Sequence, residues 1–364
     1  MKIAYLCLQA TREGQASHAH VHEIINGLRR RGMSVDLFEP RYVNRVTLPG
    51  AVGRLLGILA VQLRLVFAFK KYELVYVRAH YLSFVIAFFA RLFRVKTLLE
   101  VNGPINDGDD LWPMVRRFNT FFLKARDYEV KHATGIITVT PNLKVELELV
   151  NPNVVVIPNG SNTEFFSPDR KAEPIDLPKP YIVFVGVMAK WQGIEKILSA
   201  IESPIWPDTV SLAFIGDGVD RGLVDEAASR NPRIQVLGKL PYKSVGLYLA
   251  HSLANLAVLS GKGSRDKYGA SPLKLFEGMA SGVPVIATDI DFMGKLVRDY
   301  QCGVVIPMDY TADELAQAVN DLADHPDQVE LMGRNGREAI VSTHSWDKRA
   351  EATYATIAET LKAV

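Results

Sequence analysis

The segment Gly269–Asp289 reads "GASPLKLFEGMASGVPVIATD" and predicts a loop, a short helix, a tight turn and a buried strand. Ser271 is a good N-cap, and Pro272 suits the first position of the helix that follows. Gly282 suits the left-handed residue that ends a helix. The apolar run 283–288 is typical of a strand buried in a parallel sheet. The segment therefore predicts one helix–strand unit of an α/β fold.

The predicted helix carries two opposite charges on one flank. At about 100° per residue, the apolar side chains share one arc: Leu273, Leu275, Phe276, Met279 and Ala280. Lys274 and Glu277 fall together on the other side, beside the helix start. They form either a surface ion pair, worth roughly 0–1 kcal/mol, or a pair that binds a ligand. The rest of the chain has to decide between the two.

Strands and helices alternate on both sides of this unit. The predicted strands cover residues 2–8, 34–40, 72–79, 96–102, 134–140, 181–188, 211–218, 234–240, 254–260, 284–288 and 303–307. They form two sets, which predicts two parallel, doubly wound sheets. Segment 162–180, rich in proline and charge, predicts the linker between them. A chain of 364 residues also favours two domains.

Composition places the chain among ordinary globular proteins, with 48% hydrophobic and 23% charged residues. The two cysteines, Cys7 and Cys302, lie far apart and form no disulfide or metal pattern, which indicates a reducing compartment. The start "MKIAYLCL" predicts a first strand and not a signal peptide. We find no dinucleotide fingerprint, no P-loop and no zinc-protease motif. We expect no bound metal, no nucleic-acid partner and a monomer.

Charge is distributed unevenly along the chain. Residues 1–165 hold 21 Lys/Arg and 14 Asp/Glu (+7), and the remainder holds 21 and 26 (−5). The basic half also contains the most apolar segments, 51–71 and 82–99, both interrupted by arginines. A central arginine costs roughly 2.5–3.5 kcal/mol in a bilayer, so neither segment suits a spanning helix. They predict basic amphipathic helices on an anionic membrane surface; the alternative is core helices with basic edges.

Two glycine-containing turns and a histidine cluster are candidate sites. "FVGVMAKWQG" (184–193) and "FIGDGVDRG" (214–222) are predicted to place Gly186 and Gly216 just after strands, where a phosphate can approach the backbone. Three histidines alternate near the start of the first helix: His18, His20 and His22. Helical spacing does not bring all three to one face, so we reject a metal triad. A single histidine there is typical of a local hydrogen-bonding residue. The acidic run 107–110 ("DGDD") predicts a solvated loop.

Six segments carry a family resemblance. They are "HAHVHEIINGLRRRGMSVDLF" (18–38), "VVVIPNGSNTEFF" (154–166), "YIVFVGVMAKWQGIEKILSAI" (181–201), "FIGDGVDRGLV" (214–224), "IQVLGKLPYKSVGLYLAHS" (234–252) and "SPLKLFEGMASGVPVIATD" (271–289). In this order they resemble the retaining, nucleotide-sugar-dependent glycosyltransferases of family four (glycosyl transferases group 1). The resemblance covers nearly the whole chain. It implies the GT-B architecture of two Rossmann-like domains that face each other across a cleft.

The resemblance implies a function for each domain. Residues 1–170 would bind the acceptor, with Gly14, His18 and His20 on that side and with helix 345–364 packed back on it. Residues 171–344 would bind the nucleotide sugar. Glu277 would accept hydrogen bonds from the ribose, and Lys190, Lys274 and Asn102 would be catalytic. Other donor-binding residues would be Gly186, Gly216, Leu240, Gly269, Ala270, Ser271, Pro272 and Leu273.

The sequence departs from the family pattern at several positions. Gly269 stands where a glutamate commonly touches the donor sugar, and backbone N–H groups around it can substitute. Val187 and Gln192 stand where the family usually has arginine and lysine, so Lys190 is the nearest replacement cation. Asn102 stands in place of a frequent histidine and can still hydrogen-bond a hydroxyl of the donor, but it cannot act as a base.

The expected activity is retaining transfer of a sugar from a UDP- or GDP-sugar. The acceptor would be a lipid-linked glycan intermediate in bacterial polysaccharide or glycoconjugate synthesis, at the cytoplasmic face of the cell membrane. No cofactor is required, because the nucleotide sugar is a substrate. The alternatives are a soluble acceptor, an epimerase of the same architecture, and a silent nucleotide-sugar binder. A nicotinamide dehydrogenase would need the fingerprint that is missing.

Overall fold

The computed structural model describes residues 1–40, 48–103, 118–259 and 267–363. The acidic run 107–110 lies outside the described residues. The contacts between Cα atoms divide the chain into unit 1, Met1–Pro158 with Arg349–Val364, and unit 2, Asn159–Lys348. The boundary therefore precedes the expected linker 162–180, whose residues belong to unit 2, where Pro168–Ala172 forms a 3-10 helix.

Unit 1 is built on a six-stranded parallel sheet with the order β2-β1-β3-β4-β5-β6. Its strands are β1 (Lys2–Cys7), β2 (Ser34–Phe38), β3 (Leu74–Arg78), β4 (Thr97–Val101), β5 (Gly135–Thr138) and β6 (Val154–Val156). Its helices are Ala16–Arg30, Leu48–Ala68, Phe84–Leu92, Asn119–His132 and Pro141–Glu148. Helix Trp346–Lys362 begins in unit 2 and continues in unit 1 from Arg349.

Unit 2 is built on a second six-stranded parallel sheet, with the order β12-β11-β10-β7-β8-β9. Its strands are β7 (Tyr181–Val187), β8 (Ser211–Asp217), β9 (Ile234–Gly238), β10 (Ala254–Ala257), β11 (Val285–Thr288) and β12 (Gly303–Ile306). Its helices are Ile194–Ile201, Arg221–Arg230, Tyr242–His251, Leu273–Ala280, Met293–Asp299, Ala312–Asp324 and Pro326–Ala339. Two hydrophobic clusters cover opposite faces of this sheet: on β7, Ile182 belongs to one and Val183 to the other.

The predicted fold class is confirmed, and the predicted strands are all present. One strand was missed: β6 has only three residues and pairs with β5 alone at the sheet edge. Its short "VVV" run lies between Asn-Pro-Asn and Ile-Pro, so it lacks the length that marks a strand.

The two apolar segments of unit 1 differ from each other. Residues 51–71 are helical, and Val52–Lys71 has the length and composition to cross a membrane, with 28% of its apolar window buried. We expected that this segment would not suit a membrane-spanning helix. By length and composition alone, it does suit one. Segment 82–99 is not one long helix, since helix Phe84–Leu92 ends early and Thr97 already begins β4.

Candidate functional site

The strand order of unit 2 reverses between β7 and β10. In open α/β sheets, ligands bind beyond the carboxyl ends of the strands at such a switch point. Lys274 lies there: its Nζ donates to Gln192 Oε1 at 2.5 Å, after β7, and to the Val258 carbonyl at 3.3 Å, after β10. The same ammonium sits 4.5 Å from the centre of the Phe184 ring. A distant segment thus brings a cation to the position where an anionic ligand is expected.

Helix Leu273–Ala280 is buried on nearly all sides, which rules out a surface ion pair. Lys274 is 6% and Glu277 5% exposed, and the expected polar flank is covered by protein. The cover includes Gln192, from the loop after β7, and Tyr242, from the start of a neighbouring helix. The helical wheel could not show this, because both covering residues are remote in sequence.

The Pro-Asn-Gly segment holds the loop that leads into this helix. The Asn159 backbone N–H donates to Ser271 Oγ at 3.2 Å, and Asn159 Nδ2 donates to the Ser271 carbonyl at 2.6 Å. Gly160 approaches so closely that an added Cβ would lie 2.6 Å from the His344 carbonyl oxygen. Because its hydroxyl accepts from Asn159, Ser271 does not cap the helix as predicted. Pro272 takes that place without a side-chain cap, and the helix begins at Leu273.

Glu277 is a buried carboxyl whose protonation depends on its surroundings. Burial raises its pKa to about 7, partly opposed by the Tyr242 hydroxyl and by the Lys274 charge. A group with this pKa changes charge near neutral pH, and hydrogen-bond donors from a ligand would favour its ionised form. The pair of Lys274 and Glu277 can therefore bind a phosphate with its cation and hydroxyl groups with its carboxylate.

The other predicted donor-side residues lie along the same edge of the sheet. Gly186 and Gly216 are the paired last-but-one residues of β7 and β8, so they lie in the strands and not after them. Both have positive φ, and a Cβ on Gly216 would lie 1.9 Å from the Gly186 carbonyl oxygen. Leu240 is half-buried after β9, and Lys190 is exposed in the loop after β7. Gly269, with φ 75°, and buried Ala270 precede the helix.

The predicted residues of unit 1 do not form one group. Gly14 is exposed in the turn before the first helix, and the rings of His18 and His22 lie with centroids 4.1 Å apart and planes tilted by 34°. His20 instead points into the core, where its Nε2 lies 2.7 Å from Glu100 Oε1. His20 is therefore a hydrogen-bonding partner of Glu100, and its expected place on the acceptor side stays a prediction. Asn102 follows β4, and neither buried atom of its side-chain amide has a hydrogen-bond partner in the described part of the chain.

Three residues of these sites were not predicted: Asn159, Tyr242 and Glu100. Each acts through a partner far along the chain, and no local sequence pattern indicates such a partner. Gln192 was noted only as a departure from the family, yet it bonds Lys274. In the described residues, no group of three or more His, Cys, Asp or Glu side chains could hold a metal ion.

Known structures share this architecture over the full length. The fold matches sucrose-phosphate synthase from Thermosynechococcus elongatus with a TM-score of 0.79 at 18% identity, covering 100% of both chains. It also matches Anabaena HepE, solved with UDP-glucose, with a TM-score of 0.72 at 16% identity over 100% of both chains. The protein therefore has the GT-B fold of these glycosyltransferases.

Family models divide between the two halves of the chain. Residues 17–165 match the model described as Glycosyltransferase Family 4, and residues 165–339 match Glycosyl transferases group 1. The chain belongs to this glycosyltransferase family, and the expected resemblance is confirmed.

Curated relatives are distant. Alpha-maltose-1-phosphate synthase of Mycolicibacterium smegmatis is 26% identical over 62% of this chain and 62% of its own. Phosphatidyl-myo-inositol mannosyltransferase of Mycobacterium leprae is 26% identical over 54% of this chain and 51% of its own. The matched part thus spans about half to three-fifths of the length of these relatives.

Proposed function

We propose that the protein is a retaining glycosyltransferase that moves a sugar from a UDP- or GDP-sugar to an acceptor on unit 1. The observation that carries the proposal is the position of Lys274 at the β7/β10 switch point, with Glu277 one turn further along the same helix. Membership of the family supports the reaction class, and the UDP-glucose complex of HepE supports the donor class.

Catalysis would be mainly electrostatic. As the bond between the anomeric carbon and the diphosphate oxygen breaks, negative charge develops on the leaving group. Lys274, Lys190 and the first-turn N–H groups of helix Leu273–Ala280 would stabilise that charge. The acceptor hydroxyl attacks the anomeric carbon from the same face of the sugar and gives its proton to the departing phosphate oxygen, so no protein nucleophile is required. No metal is needed if these groups carry the charge.

A panel of nucleotide sugars tests the donor proposal. We expect a UDP- or a GDP-sugar to raise the melting temperature, since a ligand at 100 times its Kd adds roughly 2.7 kcal/mol of stability. ADP-sugars and free hexoses serve as comparisons. If no nucleotide sugar stabilises the folded protein, the proposed donor class is wrong.

A silent nucleotide-sugar binder is the second candidate. It is prompted by Gly269 and Asn102, which stand where the family commonly has a glutamate and a histidine. Such a protein would bind the donor without turnover. A glycosyltransferase with a soluble acceptor, or an epimerase, would instead turn the donor over without lipid.

We also propose peripheral binding to the anionic inner face of the cell membrane, with a lipid-linked glycan as acceptor. Helix Leu48–Ala68 exposes apolar side chains on one stripe: Val52, Leu56, Leu63 and Phe67. The neighbouring helix adds exposed Phe88 and Leu92. Exposed basic residues flank the stripe: Arg64, Lys70, Lys71, Arg91 and Arg94. Each basic group near an anionic bilayer contributes about 1 kcal/mol.

The protein should sediment with anionic vesicles, bind neutral vesicles less, and be partly released by salt. Phe67→Ser should weaken this binding several-fold, because Phe67 is 86% exposed and free to insert. Val219→Ser is the matched control, since Val219 is 88% exposed in unit 2. If no lipid composition binds the protein, the acceptor is better sought among soluble sugars.

A further inference from the structure

The first sheet has its own switch point, between β1 and β3. These strands end at Cys7 and Arg78, which are paired in the register. Ligands of open α/β sheets bind at this kind of position. The proposed function places the acceptor on unit 1, so the side chains here are the ones that would recognise it.

The buried carboxylate of Glu100 lies beside this switch point, and described side chains contact both of its oxygens. Glu100 Oε1 accepts from Arg349 Nη2 at 2.6 Å and lies 2.7 Å from His20 Nε2. Glu100 Oε2 accepts from the Tyr5 hydroxyl at 3.1 Å. Arg349 and Glu100 are both almost fully buried and form an ion pair. Glu100 is therefore matched by Arg349.

Arg78 is a second, half-buried guanidinium beside the same carboxylate, and within the described residues it forms no ion pair or side-chain hydrogen bond. Its guanidinium interacts electrostatically with the Glu100 carboxylate, yet its buried Nη1 has no hydrogen-bond acceptor among the described residues. His20 does not add a charge, because burial lowers its pKa to about 4. One carboxylate thus faces two guanidiniums, which leaves one positive charge unmatched. Arg78 as a whole is half-buried, and an anion that reaches it would pair its charge and bond the enclosed Nη1.

Asn102 provides polar groups near this charge. Arg78 is the register partner of Glu100, and Asn102 follows two residues later, on the same face. Its Oδ1 and Nδ2 are both buried and lack partners in the described part of unit 1. An amide without partners is costly to bury, and a ligand that bonds both atoms would remove this penalty.

We propose that Arg78 and Asn102 bind an oxyanion of the acceptor, a phosphate or a carboxylate. The inference rests on the proposed function and adds a substrate class to it. A guanidinium presents paired donors that match the oxygens of both groups. Asn102 Nδ2 donates to the same anion, and Oδ1 accepts from a neighbouring sugar hydroxyl. The acceptor is therefore an acidic sugar or a phosphorylated one.

The test uses the full chain with inorganic phosphate and glucuronate as probes, titrated by calorimetry with UDP at saturation, so that the phosphate site of unit 2 is filled. We expect saturable binding of at least one anion. Arg78→Gln should weaken it roughly tenfold to hundredfold, and Arg78→Lys by less, because lysine keeps the charge without the fork. Arg30→Gln is the control, since Arg30 is exposed on the helix that carries His20.

Tighter binding of phosphate identifies a sugar phosphate, and tighter binding of glucuronate identifies an acidic sugar. Equal affinity in wild type and folded Arg78→Gln, or no saturable binding of either anion, overturns the inference. UDP affinity should be the same in all variants. Absence of UDP binding in the wild type would instead count against the proposed function, whatever Arg78 does.

Discussion

Lys274→Met should lower kcat by about a hundredfold or more, while the Kd of the donor changes by less than about tenfold. Charge grows on the departing diphosphate as the glycosidic bond breaks, so its cationic partner matters most in the transition state. Methionine keeps the length of the side chain and its contact with Phe184. It removes only the ammonium that bonds Gln192 and Val258.

Lys295→Met is the matched control for this prediction. Lys295 belongs to the same unit, is 68% exposed and pairs with Asp299 on its own helix. Its loss should leave kcat unchanged. If Lys274→Met folds and turns the donor over at the wild-type rate, Lys274 is a structural partner of Gln192 and has no part in catalysis.

Glu277→Gln should weaken binding of the nucleotide sugar roughly tenfold at pH 8 and remove its pH dependence. In the free protein, burial places the pKa of Glu277 at about 7. Ribose hydroxyls that donate to the carboxylate favour its ionised form, so binding lowers this pKa and releases a proton. Below pH 7 the Kd of the wild type should therefore fall as the pH rises, by up to about tenfold per pH unit, and level off above pH 8.

Calorimetry of a nucleotide sugar from pH 5.5 to 8.5 measures this dependence, since its diphosphate does not titrate in this range. Glutamine keeps the shape of the side chain and cannot ionise, so any slope that remains belongs to other groups. An identical slope and affinity in the two proteins would show that Glu277 does not contact the ribose.

Local patterns were sufficient for most of the fold. Strands such as β7 and β11 are continuous apolar runs between turn residues, and Gly282, with φ 71°, ends its helix as predicted. Boundaries shifted where a strand was short: β11 begins at Val285 and not at Val283. β6 was missed because three residues carry no period.

The site could be predicted only in part. The sequence indicated that Lys274 and Glu277 share a flank, but not that Gln192 and Tyr242 cover it. Ser271 has the chemistry of an N-cap, yet Asn159 occupies its hydroxyl from 112 residues away. Glu100 lies in a central strand, and the sequence predicts that strand but not the side chains that bond its carboxylate. Each miss concerns a contact between segments that are distant in sequence.

Sugar transfer from a nucleotide sugar releases a nucleoside diphosphate. The most direct measurement is release of the nucleoside diphosphate from the donor chosen by the panel, with and without a bacterial lipid extract. We expect release that depends on the extract, is lost in Lys274→Met and persists in Lys295→Met. A wild-type protein that binds the donor but releases no diphosphate above background, with or without the extract or soluble sugars, would contradict sugar transfer and establish a silent binder.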